Sequence, residues 1–326
     1  MAKSPVSKRP PVASKRPPAA SKKPPVYNKA SAKARGGRPA GLFTWLAVGL
    51  VVLVVAGLVI IKLTGGSTDP NGKSGYQATS PAIVSELTKV PVSVFNAVGV
   101  TSPVAPVTPP QALKGQPALT AASAAGVTLP EVFYLGAEYC PYCAAQRWPT
   151  IIALSRFGTF KGLGNMSSSS SDYFGTPSFT FIKSTYTSKY LVFKPVEQES
   201  NVFDSAINNW VPLQKPTKAE EALFLKYDSV KFVHGFTAQD NASIPFLSLG
   251  NQYLVAGSSY TPAALANLNR NEIAAGLNEP TNPVTQAIIT SANEQTAAFC
   301  VLTKGQPGNV CNSSGVMAAK KLMGIK

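Results

Sequence analysis

Apolar and polar positions along this chain change character several times. Residues 1–41 alternate short charged and proline-rich groups, with almost no large apolar side chain. From Leu42 to Ile61 twenty residues pass without a charge, dominated by Val, Leu, Ile and Ala. That run is long enough to cross about 30 Å of hydrocarbon as a helix. Residues 64–80 turn polar and Gly/Ser-rich and read as a linker. From Pro81 onward apolar residues return in short, punctuated groups, as in a folded domain, with its core expected from about Glu131. The pattern divides the chain into a tail (1–41), a transmembrane helix (42–63), a linker (64–80) and a folded domain (81–326).

Within that domain, residues 81–99 hold two short helical groups, and 101–130 read as an extended, proline-rich wrap. Val132-Phe133-Tyr134-Leu135-Gly136-Ala137 has strand character, and Ala144 to Phe157 reads as a helix. The segments 178–186 and 189–196 are β-branched and aromatic, and Thr187-Ser188 between them predicts a hairpin turn. Thr217 caps a helix over 218–227. Ile244 to Gly257 predicts two strands joined at Gly250-Asn251-Gln252. A helix is expected over Ala263–Leu277 behind Thr261-Pro262, and a last one over about Val284–Thr303. The serine run Ser167–Ser171 reads as a solvated connector, with a substrate loop as the alternative.

Charge sharpens this division. The net charge is +15, but residues 1–63 carry 12 of the 30 Lys and Arg and no acidic residue. The remainder carries 18 basic against 15 acidic side chains, so no folded part holds the basic excess a nucleic-acid-binding fold requires. In the tail, an imperfect seven-residue repeat (Ser7-Lys8-Arg9-Pro10-Pro11-Val12-Ala13 and its two successors) places Pro-Pro in every unit. Helix is forbidden there, and a disordered basic segment is expected. Lying N-terminal to the apolar run, it predicts a cytoplasmic N-terminus and a folded domain on the other side of the membrane.

The candidate chemistry is Cys140-Pro141-Tyr142-Cys143, at the corner between the strand and the helix. A thiol at a helix N-terminus meets unpaired N–H groups and the positive end of the dipole, both of which favour its thiolate. A second thiol one turn later is placed to close a disulfide with it. A zinc site would need two further ligands. His234, Cys300, Cys311 and the carboxylates offer none at CxxC or HxxxH spacing, so no metal is expected. A purely structural bridge is the other alternative. Cys300 and Cys311 suit a structural disulfide in an oxidising compartment, worth about 2–4 kcal/mol. A relay to the first pair is the competing reading. His234 reads as a hydrogen-bonded loop residue. Arg147 and Trp148, on the first turns of the helix, are candidates for the rim of a substrate groove, with Trp148 alternatively in the core.

The order of strand, CPYC, helix, Ile-Pro-strand, turn, strand and terminal helix resembles the thioredoxin superfamily. Gly136 to Arg147-Trp148, with Ala153 to Phe160, more closely resembles the family called domain of unknown function 929. The resemblance implies an α/β fold, a thioredoxin-like mixed sheet with flanking helices. It also implies a groove in which Pro141, Tyr142, Ile244 and Pro245 meet substrate. In the thioredoxin pattern a buried acid stands six residues before the first cysteine; here that position is Tyr134. Together these readings lead us to expect a membrane-anchored, extracytoplasmic thiol–disulfide oxidoreductase without a cofactor. Its partners would be protein thiol or disulfide substrates and a redox protein that recycles the CPYC pair, with no nucleic acid. The alternative is a redox-inactive thioredoxin-like binding or scaffold module with a static disulfide.

Overall fold

A computed structural model describes residues 76–326. The tail (1–41), the apolar segment (42–63) and all but the last residues of the linker (64–80) lie outside the described residues. The first elements are β1 (Gln77–Ala78), α1 (Pro81–Thr88), α2 (Val92–Val98), β2 (Gln111–Ala112), β3 (Thr120–Ala122) and β4 (Thr128–Gly136). Next come α3 (Pro141–Ser155), β5 (Gly158–Lys161), β6 (Gly164–Ser167), β7 (Pro177–Thr180), β8 (Thr185–Ser188) and β9 (Val192–Glu197). After β10 (Glu199–Asp204) and β11 (Asn209–Pro212) follow α4 (Lys218–Tyr227), β12 (Phe246–Leu249) and β13 (Tyr253–Ala256). The chain closes with α5 (Arg270–Gly276), α6 (Pro283–Leu302), α7 (Gly308–Cys311) and α8 (Ser314–Leu322).

The principal sheet is built around β4. β12 pairs antiparallel with it on one side. On the other side β9 runs parallel to Glu131–Gly136, while β3 pairs antiparallel with the beginning of β4. β13 and β2 complete the sheet beyond β12. Every residue of β4 from Glu131 to Gly136 is buried, because both faces of the strand are covered. Val132 and Tyr134 face the larger core with α3 and α6, while Phe133 and Leu135 face a smaller one with Phe224 and Tyr227 of α4. That alternation is the period-two geometry of a strand serving two layers.

The expected fold is corrected here. In place of one thioredoxin-like mixed sheet with flanking helices, preceded by a transmembrane helix, the described residues form a mixed α/β unit with four sheets. β1-β6-β7, β5-β8 and β10-β11 each pair apart from the principal sheet. No helix among the described residues is long and apolar enough to cross a membrane. The longest, α6, spans 20 residues but includes Thr, Gln, Ser, Asn and Glu.

Local corrections follow from pairing. Thr187 and Ser188 are not a turn but the end of β8, whose partner is β5; β7 and β9 belong to different sheets. The helix expected over 263–277 is interrupted. Asn267 adopts φ 63°, and Asn269 starts α5 with its own capping box, accepting from Glu272 N–H. The hairpin of β12 and β13 forms at Gly250-Asn251, both with positive φ.

Candidate functional site

Strand β4 ends at Gly136, where a side chain would overlap the phenol of Tyr134 folded back beside it. Four residues later the chain enters α3 with Cys140 as N-cap and Pro141 in the first turn. The proline's missing N–H has no helical partner to lose there. Cys140 Sγ accepts the backbone N–H of Cys143 at 3.2 Å, the hydrogen bond an N-cap side chain makes. It also lies 3.8 Å from the carbonyl oxygen of Ile244, and the Ile244–Pro245 peptide is cis. Both cysteines are free thiols. Cys140 is 5% exposed and Cys143 fully buried.

Their environments push the two thiols apart. The hydrogen bond from the Cys143 thiol pulls Cys140 below the usual cysteine range, against the effect of burial. The N–H groups of Cys143 and Tyr142 and the charge of Arg147 act in the same direction as that bond. Burial pushes Cys143 well above that range, reinforced by its hydrogen bond to Cys140 and by the charge there. The two neighbouring thiols are thus shifted in opposite directions, Cys140 toward easier ionisation and Cys143 away from it.

Beneath them sits a charge pair that sequence reasoning missed. Arg147, one turn after Cys143, and Glu197, at the end of β9, are both fully buried. Arg147 Nε donates to Glu197 Oε1 at 2.9 Å and Nη2 to Oε2 at 2.5 Å. Nη2 also donates to the Ala137 carbonyl at 2.9 Å. The parallel β4–β9 register sets Glu197 beside Gly136. The four-residue spacing from Cys143 was the available signal for Arg147; Glu197 carried none. Arg147 and Trp148 therefore do not edge a groove. Trp148 is in the core, its indole N–H donating to the Pro177 carbonyl. Tyr134 is wholly buried below the Arg147 guanidinium, 5.6 Å from ring centroid to Cζ, and burial raises its pKa well above the normal range.

The rim is aromatic. Tyr139 stacks on Trp210 at 4.8 Å, and Phe203 meets Trp210 edge-on. Tyr142, exposed, meets the exposed Tyr173 edge-on at 6.1 Å. The serine run is tied to this corner rather than being a solvated connector. The N–H groups of Ser169 and Ser170 donate to the Tyr139 carbonyl, and Ser169 Oγ donates to the Asn201 carbonyl at 2.6 Å. Cys140, Pro141, Tyr142, Cys143, Ile244 and Pro245 thus lie at one corner. Cys300 and Cys311 are joined to each other in a disulfide, on α6 and α7. His234 is exposed, its backbone N–H bound to Gln111. Among the described residues, no three His, Cys, Asp or Glu side chains gather as a metal site.

A family model described as domain of unknown function (DUF929) matches residues 122–301, a span from the end of β3 to α6 that includes the whole corner. No curated protein and no solved structure matches the chain.

Proposed function

Because the chain belongs to the DUF929 family, defined without an activity, we propose a function from the site itself: a thiol–disulfide oxidoreductase acting on protein thiols and disulfides. The observation that carries this reading is the pair of free thiols at a strand-to-helix corner, with Cys140 favoured as thiolate and Cys143 held protonated. In the reducing direction, the Cys140 thiolate attacks one sulfur of a substrate disulfide. A Cys140–substrate bond forms and the other substrate sulfur leaves as thiolate. Cys143 gives up its proton to the solvent or to that departing thiolate and attacks Cys140 Sγ. The second substrate sulfur is released and the Cys140–Cys143 disulfide closes. Two electrons pass from the protein to the substrate, and the reverse sequence oxidises a substrate dithiol. A redox partner restores the pair, and two thiols need no cofactor.

The aromatic rim of Tyr139, Tyr142, Tyr173 and Trp210 supports a polypeptide substrate, since such side chains make favourable contacts with an extended chain. The Cys300–Cys311 disulfide supports work in an oxidising compartment outside the cytoplasm. The near-complete burial of both CPYC thiols favours the second reading, a binding module without turnover. Trapping separates the two. Cys143→Ser should accumulate mixed disulfides with substrate proteins, visible on a non-reducing gel, while Cys140→Ser should form none. Absence of adducts from both variants would leave the binding module.

A further inference from the structure

The connection between β6 and β7, residues 168–176, is a tightly bonded turn beside the thiols. The Tyr173 carbonyl accepts two hydroxyls, Ser168 Oγ at 3.0 Å and Thr176 Oγ1 at 2.8 Å. The Gly175 N–H donates to the Ser168 carbonyl at 3.0 Å, and the Thr176 N–H to Ser168 Oγ at 3.0 Å. With Tyr173 at φ 48° and Gly175 at φ 79°, the turn sets two aromatic side chains outward. Tyr173 is 43% exposed and Phe174 77%. Tyr173 meets Tyr142 of the CPYC sequence edge-on.

A second aromatic group reaches Cys140 through the residue before it. Tyr139 stacks on Trp210, and Trp210 meets Phe203, 51% exposed, in the β10–β11 hairpin. Asn201 ties hairpin and turn together, its Nδ2 donating to the Ser167 carbonyl at 2.9 Å and its carbonyl accepting Ser169 Oγ. Solitary apolar side chains are ordinary on a surface, but aromatics grouped around a reactive atom mark a contact surface. Two acids belong to it. The charge of Asp172 acts on Tyr142 and that of Glu199 on Tyr139, and neither acid forms an ion pair among the described residues.

We propose that this surface selects the sequence around the substrate's cysteine: an extended polypeptide segment carrying an aromatic residue and a Lys or Arg beside the sulfur that Cys140 meets. The inference rests on the oxidoreductase reading and names its substrate class. A molecule exchanging electrons with Cys140 must bring a sulfur to a thiol that is only 5% exposed, which a narrow extended segment does and a broad folded face does not. Its neighbouring side chains then lie against Tyr142, Tyr173 and Phe174. An aromatic side chain gains stacked or edge-on contacts there, and a cation pairs with Asp172 while facing the electron-rich ring of Tyr142.

The test uses the reduced full-length protein and disulfide-linked dimers of the blocked peptides Lys-Phe-Cys-Ala, Lys-Ser-Cys-Ala and Glu-Phe-Cys-Ala. Each reaction closes Cys140–Cys143 and releases two peptide thiols, so two electrons pass to the peptide disulfide. Each rate is divided by that of the same dimer with dithiothreitol, which removes differences in intrinsic reactivity. Lys-Phe-Cys-Ala should react about tenfold faster than Lys-Ser-Cys-Ala and about threefold faster than Glu-Phe-Cys-Ala. Only the second preference should fade as salt is raised to ~1 M. Phe174→Ser should cut the first preference and Asp172→Asn the second, each leaving the other in place. Both side chains are exposed, so neither change burdens the fold. Equal normalised rates for the three peptides, or preferences that survive these substitutions, would overturn this inference alone. If neither the peptides nor bis(2-hydroxyethyl) disulfide oxidises the pair, the oxidoreductase reading falls and takes this inference with it.

Discussion

At the scale of single residues, the account turns on a division of labour between two thiols three positions apart. Local hydrogen bonds pull the Cys140 thiol below the usual cysteine range, and burial pushes the Cys143 thiol well above it. Arg147 acts on both from below, favouring the ionised form of each. Arg147→Met should therefore shift the pH midpoint for alkylation of Cys140 upward. It should also destabilise the fold by about 3–5 kcal/mol, because Glu197 would lose its ion-pair partner in a fully buried site. The double variant Arg147→Met/Glu197→Met should recover much of that stability but not the lower midpoint. A midpoint that does not move would remove Arg147 from the electrostatics of the site. The thiols were legible from their spacing at a strand-to-helix corner. The buried ion pair was not, because Glu197 reaches Arg147 only through the pairing of two strands about 60 residues apart in sequence.

At the scale of elements, α3 has a proline in its interior, Pro149. Proline lacks the N–H that would meet the carbonyl four residues earlier, Ala145. Tyr260 supplies the missing donor: its buried hydroxyl donates to that carbonyl at 2.9 Å. The helix thus keeps the proline and remains satisfied inside the core, where an orphaned carbonyl is costly. Tyr260→Phe preserves the ring and removes the donor, so chemical denaturation should show a loss of about 1–3 kcal/mol. An unchanged stability would mean that Ala145 finds another donor. The helix itself was readable from its apolar run, and so were β4, the β12–β13 hairpin and α6. The β7–β9 region was misread. Its segments alternate correctly, but alternation does not say which strand pairs with which, and the two-residue group Thr187-Ser188 lacks the Gly or Asn that marks a tight hairpin.

At the scale of the whole molecule, buried acids shape how stability varies with pH. Burial pushes Glu294 up to about 8 from 4.5, with both carboxylate oxygens unpartnered. Burial likewise pushes Asp228 up to about 7 from 3.8, against one hydrogen bond from Ser243 N–H. The native state retains protons that the unfolded chain has already released. The contribution of these groups is therefore greatest below their unfolded values and is lost as pH rises through the folded ones. The melting temperature should fall between about pH 5 and pH 8, by an equivalent of ~3 kcal/mol from Glu294. Glu294→Gln should flatten the upper part of that curve; an unaltered slope would show that Glu294 ionises freely.

Two sulfur pairs coexist in this molecule, one closed between α6 and α7 and one open at the head of α3, and the proposed function requires them to differ in reducibility. The direct measurement is the equilibrium reduction potential of Cys140–Cys143, read by alkylation and mass spectrometry across a graded thiol–disulfide buffer. A pair that cycles with substrates should lie between about −120 and −230 mV, the range of known catalysts. A value below about −300 mV is that of a permanent bridge and would contradict the oxidoreductase account.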